Sequence, residues 1–386
     1  MRVALVLASS TGGIGRHVAS LTTALVAGGT EVTVLGPAAT GAQFGFAALG
    51  ASFVPVEIPA SPQPADAVAV RVLRRALAAA APHVVHAHGL RAGLVAALAR
   101  PRRPDRPGAP DRPGPSAQAP RPPGRVPLVV TWHNQILVSG LRRALYGRLE
   151  RYVAGAADVT LGASSDLVER VRALGGRDVR LGEVAAPAQP SPARPAAAVR
   201  TEFGLADEQP LVLSVGRLHR QKRHDLLIDA AARWADRDPH PAVVIAGSGP
   251  EYVQLAGRIL TTDAPVTLAG HRTDVPDLLG AADLAVVTSD WEARQLFAQE
   301  ALRAGVPLVA TAVGGLPELV GSAAELVPPN DLDAFDAAAR RLLDDPQARA
   351  DLARRGRARA ATWPTEAETA AQIAALYAEL TGVSAP

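Results

Sequence analysis

The sequence predicts an α/β protein built from two doubly wound parallel sheets. The chain has 386 residues, and single hydrophobic cores stop growing at roughly 250–300 residues, so its length indicates about two domains. Short apolar, β-branched runs alternate with helix-like stretches, and most runs are continuously apolar, as in strands covered by helices on both faces. The Ala- and Pro-rich stretch Ala185–Ala198 separates two groups of runs and is typical of an interdomain linker.

The predicted strands define the expected order of the two sheets. The first group contains Arg2–Ala8, Glu31–Gly36, Ala51–Ile58, His83–Gly89, Pro127–His133, Asp158–Ala163 and Asp178–Val184. The second group contains Leu211–Gly216, Ala242–Gly247, Val266–Gly270, Asp283–Thr288, Pro307–Thr311 and Ala324–Val327. The predicted divisions are an N-terminal domain over 1–186, a linker over 187–200, a C-terminal domain over 201–363 and a final segment over 364–386.

The end of the chain predicts an amphipathic helix. Thr365 followed by Glu368 three residues later has the spacing of a capping box. Four apolar residues then recur at helical spacing and form one stripe: Ile373, Leu376, Tyr377 and Leu380. We expect the rest of the protein to bury this stripe.

The composition limits the protein's location and partners. The chain contains no Cys, which excludes disulfides and thiol catalysis and agrees with a reducing compartment. No apolar run approaches the ~20 residues of a membrane span, and the apolar run at the N-terminus is too short for a signal peptide. We therefore expect a cytoplasmic protein. The heavy use of Ala, Arg, Gly and Pro is typical of a bacterial high-GC coding bias.

The basic charge of the chain is concentrated in one segment. Residues 100–125 carry seven Arg and two Asp, whereas the formal net charge of the whole chain is only +3, so the remainder is slightly acidic. The segment also contains nine Pro and is predicted to be a disordered, solvated insertion. The alternative is a weak contact with an anionic membrane surface. Nothing in this distribution indicates a nucleic-acid partner.

A glycine-rich turn follows the first predicted strand. Gly12, Gly13 and Gly15 lie where that strand passes into a predicted helix over Val18–Val26. Glycines permit close backbone approach, and a helix N-terminus attracts negative charge, so an anionic ligand is one interpretation. The spacing does not match a dinucleotide-binding fingerprint. The alternative is a tight turn that binds nothing.

Cations follow the first strand of the second group. Arg217 and Lys222 lie just beyond that strand, where a guanidinium fork and a mobile ammonium can converge on a diphosphate. Lys222 is the chain's only Lys, although the chain has 40 basic residues of the Lys and Arg types. The next strand ends in Ala246-Gly-Ser-Gly-Pro250, a second loop that permits close backbone approach. The alternative is a solvated cationic loop.

Two glutamates flank a predicted helix start. Glu292 lies in a loop, and Glu300 lies about one turn inside the helix that begins near Arg294–Leu296. Free N–H groups at the helix start can bind phosphate, while the two carboxylates accept hydrogen bonds from sugar hydroxyls. The alternative is a helix-dipole charge at Glu292 and a surface position for Glu300.

Together these motifs resemble a known family over nearly the whole chain. Gly12–Gly15, Gly216 and Arg217 with Lys222, Ala246–Gly249 and the Glu292/Glu300 pair followed by Gly305-Val-Pro307 resemble the GT-B glycosyltransferases of family 4, the retaining group 1 enzymes. This resemblance implies two Rossmann-like domains facing each other across a cleft, with the final helix crossing back to the first domain. It also implies metal-independent transfer of a hexosyl unit from a nucleoside diphosphate sugar, such as a UDP- or GDP-hexose, to an acceptor hydroxyl, without a cofactor.

The resemblance also implies roles for individual residues. The catalytic residues would be Glu292 and His133 at the transferred sugar and Arg217 and Lys222 at the diphosphate. The donor-binding residues would be Gly13, Gly216, Gly247, Gly249, His271, Arg294, Gln295, Leu296, Phe297 and Glu300. The acceptor-side residues would be Gly12, Arg16, His88 and Asn134. The sequence departs from the family where Glu292-Ala-Arg-Gln295 replaces a Glu-Gly-Phe-Gly start, and here Arg294 would add a side-chain contact.

Several other interpretations remain open or unfavoured. His86 and His88 share one face of a strand end, but no third ligand is evident, so no metal site is predicted. Asp331-Leu-Asp333 precedes a helical stretch over Ala334–Leu343 and is predicted to cap it. No Gly-x-Ser-x-Gly motif is present. The alternatives to a transferase are a nucleotide-sugar epimerase of the GT-B fold and a catalytically weak sugar-nucleotide-binding protein.

Overall fold

The computed structural model describes residues 1–10, 12–59, 61, 63, 65–101, 124–136, 140–186 and 188–383. Contacts within the chain divide it into one unit of Met1–Pro187 with Pro364–Pro386, and a second unit of Ala188–Trp363. Of the predicted insertion over 100–125, residues 102–123 lie outside the described residues. No helix in the described part of the chain has both the length and the apolar character that a membrane span requires.

The first unit is built on a parallel sheet in the order β3-β2-β1-β4-β5-β6-β7. Its strands are β1 (Arg2–Leu7), β2 (Glu31–Gly36), β3 (Ser52–Pro55), β4 (Val84–His88), β5 (Leu128–Trp132), β6 (Val159–Gly162) and β7 (Val179–Leu181). Its helices in the first half of the chain are α1 (Gly13–Ala27), α2 (Ala38–Phe44), α3 (Asp66–Ala80), α4 (Leu90–Ala99), α5 (Gly140–Ala156) and α6 (Ser165–Ala173).

The second unit has a parallel sheet in the order β10-β9-β8-β11-β12-β13. Its strands are β8 (Leu211–Val215), β9 (Ala242–Ala246), β10 (Val266–Gly270), β11 (Leu284–Val287), β12 (Leu308–Thr311) and β13 (Glu325–Val327). Its helices are α7 (Ala196–Glu202), α8 (His224–Arg233), α9 (Tyr252–Thr262), α10 (Val275–Ala281), α11 (Leu296–Ala304), α12 (Leu316–Val320), α13 (Leu332–Asp344) and α14 (Pro346–Ala360). The final helix, α15 (Glu366–Thr381), belongs to the first unit.

The sheets confirm the predicted fold class. Each predicted strand corresponds to a strand among the described residues, most of them shortened by one residue at one or both ends. The central strands β4, β5, β6, β11 and β12 are buried along their whole length, which explains their continuous apolar sequences. The predicted strand Ala51–Ile58 is shortened to Ser52–Pro55, the edge strand beside β2.

The described part of the stretch predicted as a linker over 187–200 is attached to the second unit. Its described residues, from Ala188 on, belong to the second unit, and helix α7 starts within the stretch, directly after Pro195. Val199 on this helix is fully buried in the core of the second unit. The Ala193 N–H donates to Asp277 Oδ1 at 2.6 Å, which fixes the segment ahead of the helix. Burial of the Val199 side chain fixes this segment on the second unit, because the apolar side chain is removed from water.

The final helix buries the apolar stripe that the sequence predicts. Thr365 and Glu368 form the capping box, with each side chain bonded to the other residue's backbone N–H. Ile373, Leu376, Tyr377 and Leu380 are all buried and share one core cluster with apolar residues of α1, β1 and β2. Helix α15 therefore completes the core of the first unit, although it follows the whole second unit in the sequence.

Tyr377 also links this helix to the sheet through a buried polar chain. The Tyr377 hydroxyl lies 2.5 Å from His86 Nδ1, and His86 Nε2 lies 2.7 Å from Thr131 Oγ1. All three side chains are at least 98% buried, so the two contacts satisfy both ring nitrogens of His86 away from water. Burial also raises the pKa of the Tyr377 hydroxyl well above its usual value, so the hydroxyl remains protonated.

We expect Tyr377→Phe to lower the free energy of unfolding by about 1–3 kcal/mol, because it leaves a buried His86 nitrogen without its hydrogen-bond partner. Urea unfolding followed by circular dichroism measures this change. Tyr252→Phe is the matched control, because the Tyr252 side chain is half exposed on α9. Equal stability of Tyr377→Phe and the control would show that this hydrogen bond contributes nothing.

Candidate functional site

The candidate site of the second unit lies at the carboxyl ends of β8 and β11. These strands are neighbours at the centre of the sheet, and the connections that follow them lead to β9 on one side and to β12 on the other. Such a reversal of strand order opens a crevice at the sheet edge, where α/β proteins bind ligands. The loop after β8 carries Arg217 and Lys222, and the loop after β11 carries Glu292.

Lys222 and Glu292 meet across this edge in an ion pair. Lys222 Nζ lies 2.5 Å from Glu292 Oε1, and the same oxygen accepts a hydrogen bond from Ser289 Oγ at 2.6 Å. The side chains of Lys222 and Glu292 are only 21% and 9% exposed, so solvent screens their attraction less than it would on an open surface. The structure thus brings together two predicted catalytic residues that are 70 positions apart in the sequence.

Hydrogen bonds that sequence reasoning missed join the two loops. Gln221 Nε2 donates to the Trp291 carbonyl at 2.7 Å, and the Gln221 carbonyl accepts from the Asp290 N–H at 2.8 Å. Thr288 Oγ1 donates to the Lys222 carbonyl at 2.8 Å. These contacts hold the backbone on both sides of the ion pair. No residue pattern could have indicated them, because each depends on the neighbouring positions of β8 and β11.

A further hydrogen bond that the sequence did not predict fixes the backbone at Glu292. The Gly315 N–H donates to the Glu292 carbonyl at 2.8 Å, and a Cβ placed on Gly314 would lie 2.1 Å from that carbonyl oxygen. Gly314 also has a positive φ of 52°, which favours glycine. The Gly314-Gly315 pair after β12 is the sequence feature that could have predicted a close backbone contact here.

The start of α11 lies between the two glutamates. The helix begins at Leu296, where Gln295 is the N-cap and its side chain accepts from the Ala298 N–H at 2.5 Å. Glu292 precedes the helix, and Glu300 lies in its second turn. Both glutamates are 7% exposed, so the alternative that treats Glu300 as a surface residue is wrong. The N–H groups of the first turn face the N-terminal end of the helix, and that of Ala298 is bonded to the Gln295 side chain.

Two predicted donor-binding side chains on this segment have other roles. Phe297 is 3% exposed and packs in the core cluster behind the helix, so its side chain is structural. Gln295 is the helix cap, which occupies its side-chain oxygen. Arg294 is buried, and Leu296 is half-buried. The apolar spacing of α11 explains the position of Phe297, because one face of the helix must cover the sheet.

The glycines of the loop after β9 lie against protein backbone. A Cβ on Gly247 would lie 1.8 Å from the Gly216 carbonyl oxygen, and a Cβ on Gly249 would lie 2.2 Å from the Leu218 carbonyl oxygen. The Leu218 N–H donates to the Ser248 carbonyl at 3.0 Å, so the loops after β8 and β9 lie backbone to backbone. A Cβ placed on Gly216 would lie 3.7 Å from the Lys222 side chain, which is an ordinary contact distance.

Two further residues with predicted ligand roles in this unit, Arg217 and His271, are on the surface. Arg217 is exposed, and among the described residues no carboxylate pairs with its guanidinium. His271 is also exposed, in the loop after β10. Asp331 caps α13 as predicted, because its side chain accepts from the Ala334 N–H at 2.9 Å.

In the first unit the glycine-rich turn starts helix α1. Gly12 is the N-cap, Gly13 is the first helical residue, and open space surrounds the position of a Cβ on Gly12. Gly15 has a packing role instead, because a Cβ there would lie 2.1 Å from the Phe44 ring. Gly13, Arg16 and Asn134 are exposed.

Three histidines meet near this turn, at the carboxyl ends of β1, β4 and β5. His17 lies in α1, His88 ends β4, and His133 follows β5. His88 Nδ1 and His133 Nε2 are 3.2 Å apart, and one ring nitrogen from each of the three residues lies within 4.8 Å of the others. The sequence showed only His86 and His88 as a pair, whereas the structure assigns His86 to Tyr377 and Thr131 and groups His88 with His17 and His133.

Burial keeps these imidazoles neutral. Desolvation lowers the pKa of His17 to about 4, and the charge of Glu366 opposes that shift. Desolvation, together with the neighbouring histidines, lowers the pKa values of His88 and His133 well below 6.5. At neutral pH each ring therefore offers one unprotonated nitrogen.

We expect Gly247→Ala to lower the free energy of unfolding by about 1–3 kcal/mol, because the added methyl group overlaps the Gly216 carbonyl. Chemical denaturation measures this change. Gly257→Ala is the matched control, because Gly257 lies within α9 with open space at its Cβ position, and there we expect a gain of about 0.5–1 kcal/mol. A Gly247→Ala variant as stable as the wild type would show that the two loops separate easily.

Comparison with known proteins shows which protein family the chain resembles. Residues 197–359 match the family model described as "Glycosyl transferases group 1", and residues 12–186 match "Glycosyl transferase 4-like domain". Among curated relatives, alpha-D-kanosaminyltransferase of Streptomyces kanamyceticus is 31% identical over 191 residues, which cover 48% of this chain and 49% of that protein. The chain spans about half the length of the curated relatives that it matches.

Solved structures show the same fold over the whole chain. Sucrose-phosphate synthase from Thermosynechococcus elongatus matches with a TM-score of 0.78 at 21% identity, covering 100% of both chains. The Anabaena protein HepE in complex with UDP-glucose matches with a TM-score of 0.77 at 19% identity, covering 98% of this chain and 100% of that chain. One family model matches within each unit, and both models describe glycosyl transferases, so the chain belongs to the group 1 glycosyltransferases of the GT-B fold.

Proposed function

We propose that this protein transfers a hexosyl unit from a nucleoside diphosphate sugar to an acceptor hydroxyl, with retention of the anomeric configuration and without a metal or other cofactor. The observation that carries the proposal is the partly buried Lys222–Glu292 ion pair beside the start of α11. It places a cation, a carboxylate and helix N–H groups at one sheet edge, as a ligand with a diphosphate and a sugar requires.

Departure of the diphosphate is the step that needs most stabilisation, because negative charge develops on the leaving oxygen. Arg217 supplies an exposed guanidinium without a carboxylate partner among the described residues, and α11 supplies the partial positive charge of its N-terminus. Preorganised donors of this kind contribute about 3–4 kcal/mol each to the transition state. Protein charges can therefore take the place of a divalent cation in this role.

Lys222 can keep its ion pair and still bind phosphate. An ammonium has three donors, and the only contact that the described residues show for Nζ is the one to Glu292. Glu292 holds this ammonium at the sheet edge when no donor is bound. We propose that a donor diphosphate accepts from the remaining N–H groups, so that Glu292 positions Lys222 as well as the sugar.

The two carboxylates have different proposed partners. Both contacts of Glu292 described above go to Oε1, so Oε2 is the oxygen that can accept from a hydroxyl of the transferred sugar. Glu300, in the second turn of α11, would bind the nucleotide ribose, and Gly13, His271 and Arg294 would also contact the donor. His133 would lie at the transferred sugar, with Gly12, Arg16, His88 and Asn134 on the acceptor side.

The chemical class of the donor is supported by similar structures. HepE was crystallised with UDP-glucose, and on this likeness we propose a UDP- or GDP-hexose as the donor. The acceptor is a sugar, a lipid-linked molecule or a small molecule that presents a hydroxyl. We place the reaction in the cytoplasm, with a weak contact between residues 100–125 and an anionic membrane surface. Equal sedimentation of the full chain and a chain without residues 102–123 with anionic liposomes would contradict this contact.

The test begins with a thermal-shift screen of nucleotides and nucleotide sugars, in which the true donor raises the melting temperature. With that donor at saturation, we expect Lys222→Ala to lower the transfer rate by at least about tenfold. Glu292→Gln should abolish most transfer while nucleotide binding is kept, because the amide retains the shape but not the charge. Glu300→Ala should weaken nucleotide binding.

Arg354→Ala is the control for a lost cation, because Arg354 lies exposed on α14 in the same domain. Its transfer rate should equal that of the wild type. A Lys222→Ala variant as fast as the wild type would remove Lys222 from the mechanism. Isomerised donor without any transferred product would identify an epimerase, and donor binding without turnover would identify a binding protein; either result contradicts the proposed transfer.

A further inference from the structure

The three histidines of the first unit form a nearly regular triangle. The ring centroids of His17, His88 and His133 are 5.4, 5.5 and 5.6 Å apart. Three imidazoles bound through one nitrogen each to a tetrahedral ion at 2.0–2.1 Å would have centroids about 5.3 Å apart. The spacing of the rings therefore equals that of a three-histidine metal centre to within a few tenths of an ångström.

The nitrogen atoms agree with the same geometry. His88 Nδ1 and His133 Nε2 are 3.2 Å apart, whereas two nitrogens on a tetrahedral ion at the usual bond length are about 3.3–3.4 Å apart. These two rings share a hydrogen bond, which a bound ion would replace with two metal–nitrogen bonds. A nitrogen of His17 lies within 4.8 Å of both, so binding to the same ion requires this nitrogen to move closer to the other two.

The chemistry of the cluster also points to a ligand. His88 is 2% exposed, and its Nε2 has no hydrogen-bond partner in the described part of the chain, so Nε2 can carry the ring proton while Nδ1 binds an ion. Three neutral imidazoles supply lone pairs without a net charge. Glu366, whose charge acts on His17, supplies a negative charge that favours a cation nearby.

We propose that His17, His88 and His133 bind one divalent transition-metal ion, with Zn²⁺ as the natural occupant. Imidazole nitrogen is a ligand for zinc and its neighbours in the transition series, whereas Mg²⁺, Ca²⁺ and Mn²⁺ prefer oxygen. A water molecule completes a coordination of four. His86 stays outside the site, because Tyr377 and Thr131 occupy both of its nitrogens.

The ion would restrain transfer, and this consequence rests on the proposed function. His133 is the residue proposed at the transferred sugar, and His88 is proposed on the acceptor side. A metal bound to both would take their nitrogens away from the substrates and fill the space between them. Zn²⁺ is therefore expected to inhibit the enzyme, and a chelator is expected to restore its rate.

The test titrates the chelator-treated full chain, without an added histidine tag, with Co²⁺. We expect one equivalent to bind, with the visible absorption of four-coordinate Co²⁺, and Zn²⁺ to displace it. Mg²⁺ should leave the spectrum unchanged. His17→Asn and His88→Asn should each weaken Co²⁺ binding by at least about tenfold.

His240→Asn is the control, because His240 is an exposed histidine of the second unit, and its variant should bind Co²⁺ as the wild type does. Circular dichroism of each variant confirms that it is folded. No Co²⁺ absorption in the folded wild type, or equal Co²⁺ affinity in His17→Asn, would overturn the site. This readout needs no sugar substrate, so a metal-binding protein without transfer activity would contradict the proposed function and leave the metal site standing.

Discussion

The reversal of strand order at the centre of each sheet is the constraint on which both candidate sites depend. In the first unit the chain leaves β1 toward β2 and later returns to place β4 on the other side of β1, and in the second unit β8 and β11 have the same relation. Loops from the two central strands then diverge, and side chains from distant parts of the sequence meet between them. Lys222 and Glu292 meet for this reason, and so do His17 and His88.

The two candidate sites keep polar groups away from water in different ways. The site of the second unit pairs the opposite charges of Lys222 and Glu292, and because a partly buried ion pair gains little stability over apolar packing, its retention at a sheet edge is more easily explained by function than by folding. The site of the first unit instead keeps its three imidazoles neutral, since desolvation disfavours their protonation. One sheet edge thus presents charge, and the other presents uncharged nitrogen ligands.

Sequence reasoning predicted what depends on local periodicity and missed what depends on packing between distant segments. The strands, the Thr365 capping box and the Asp331 cap follow from residue spacing, and the structure contains them. The backbone partners of Gly247 and Gly249 could not be predicted, because a glycine in a sequence can indicate a close contact but does not show which group makes it. His17 was missed because its partners lie some 70 and 116 residues away, on strands whose order no local pattern gives.

The contact between the loops after β8 and β9 limits which substitutions this protein can accept. Their backbones touch at Gly247 and Gly249, so neither position can accept a side chain without separating the strands behind it. Evolution or design can therefore alter ligand preference only where an exposed side chain already fits, as at His271 in the loop after β10. Related proteins with other ligand preferences would then keep glycine at these two positions and differ at the positions around them.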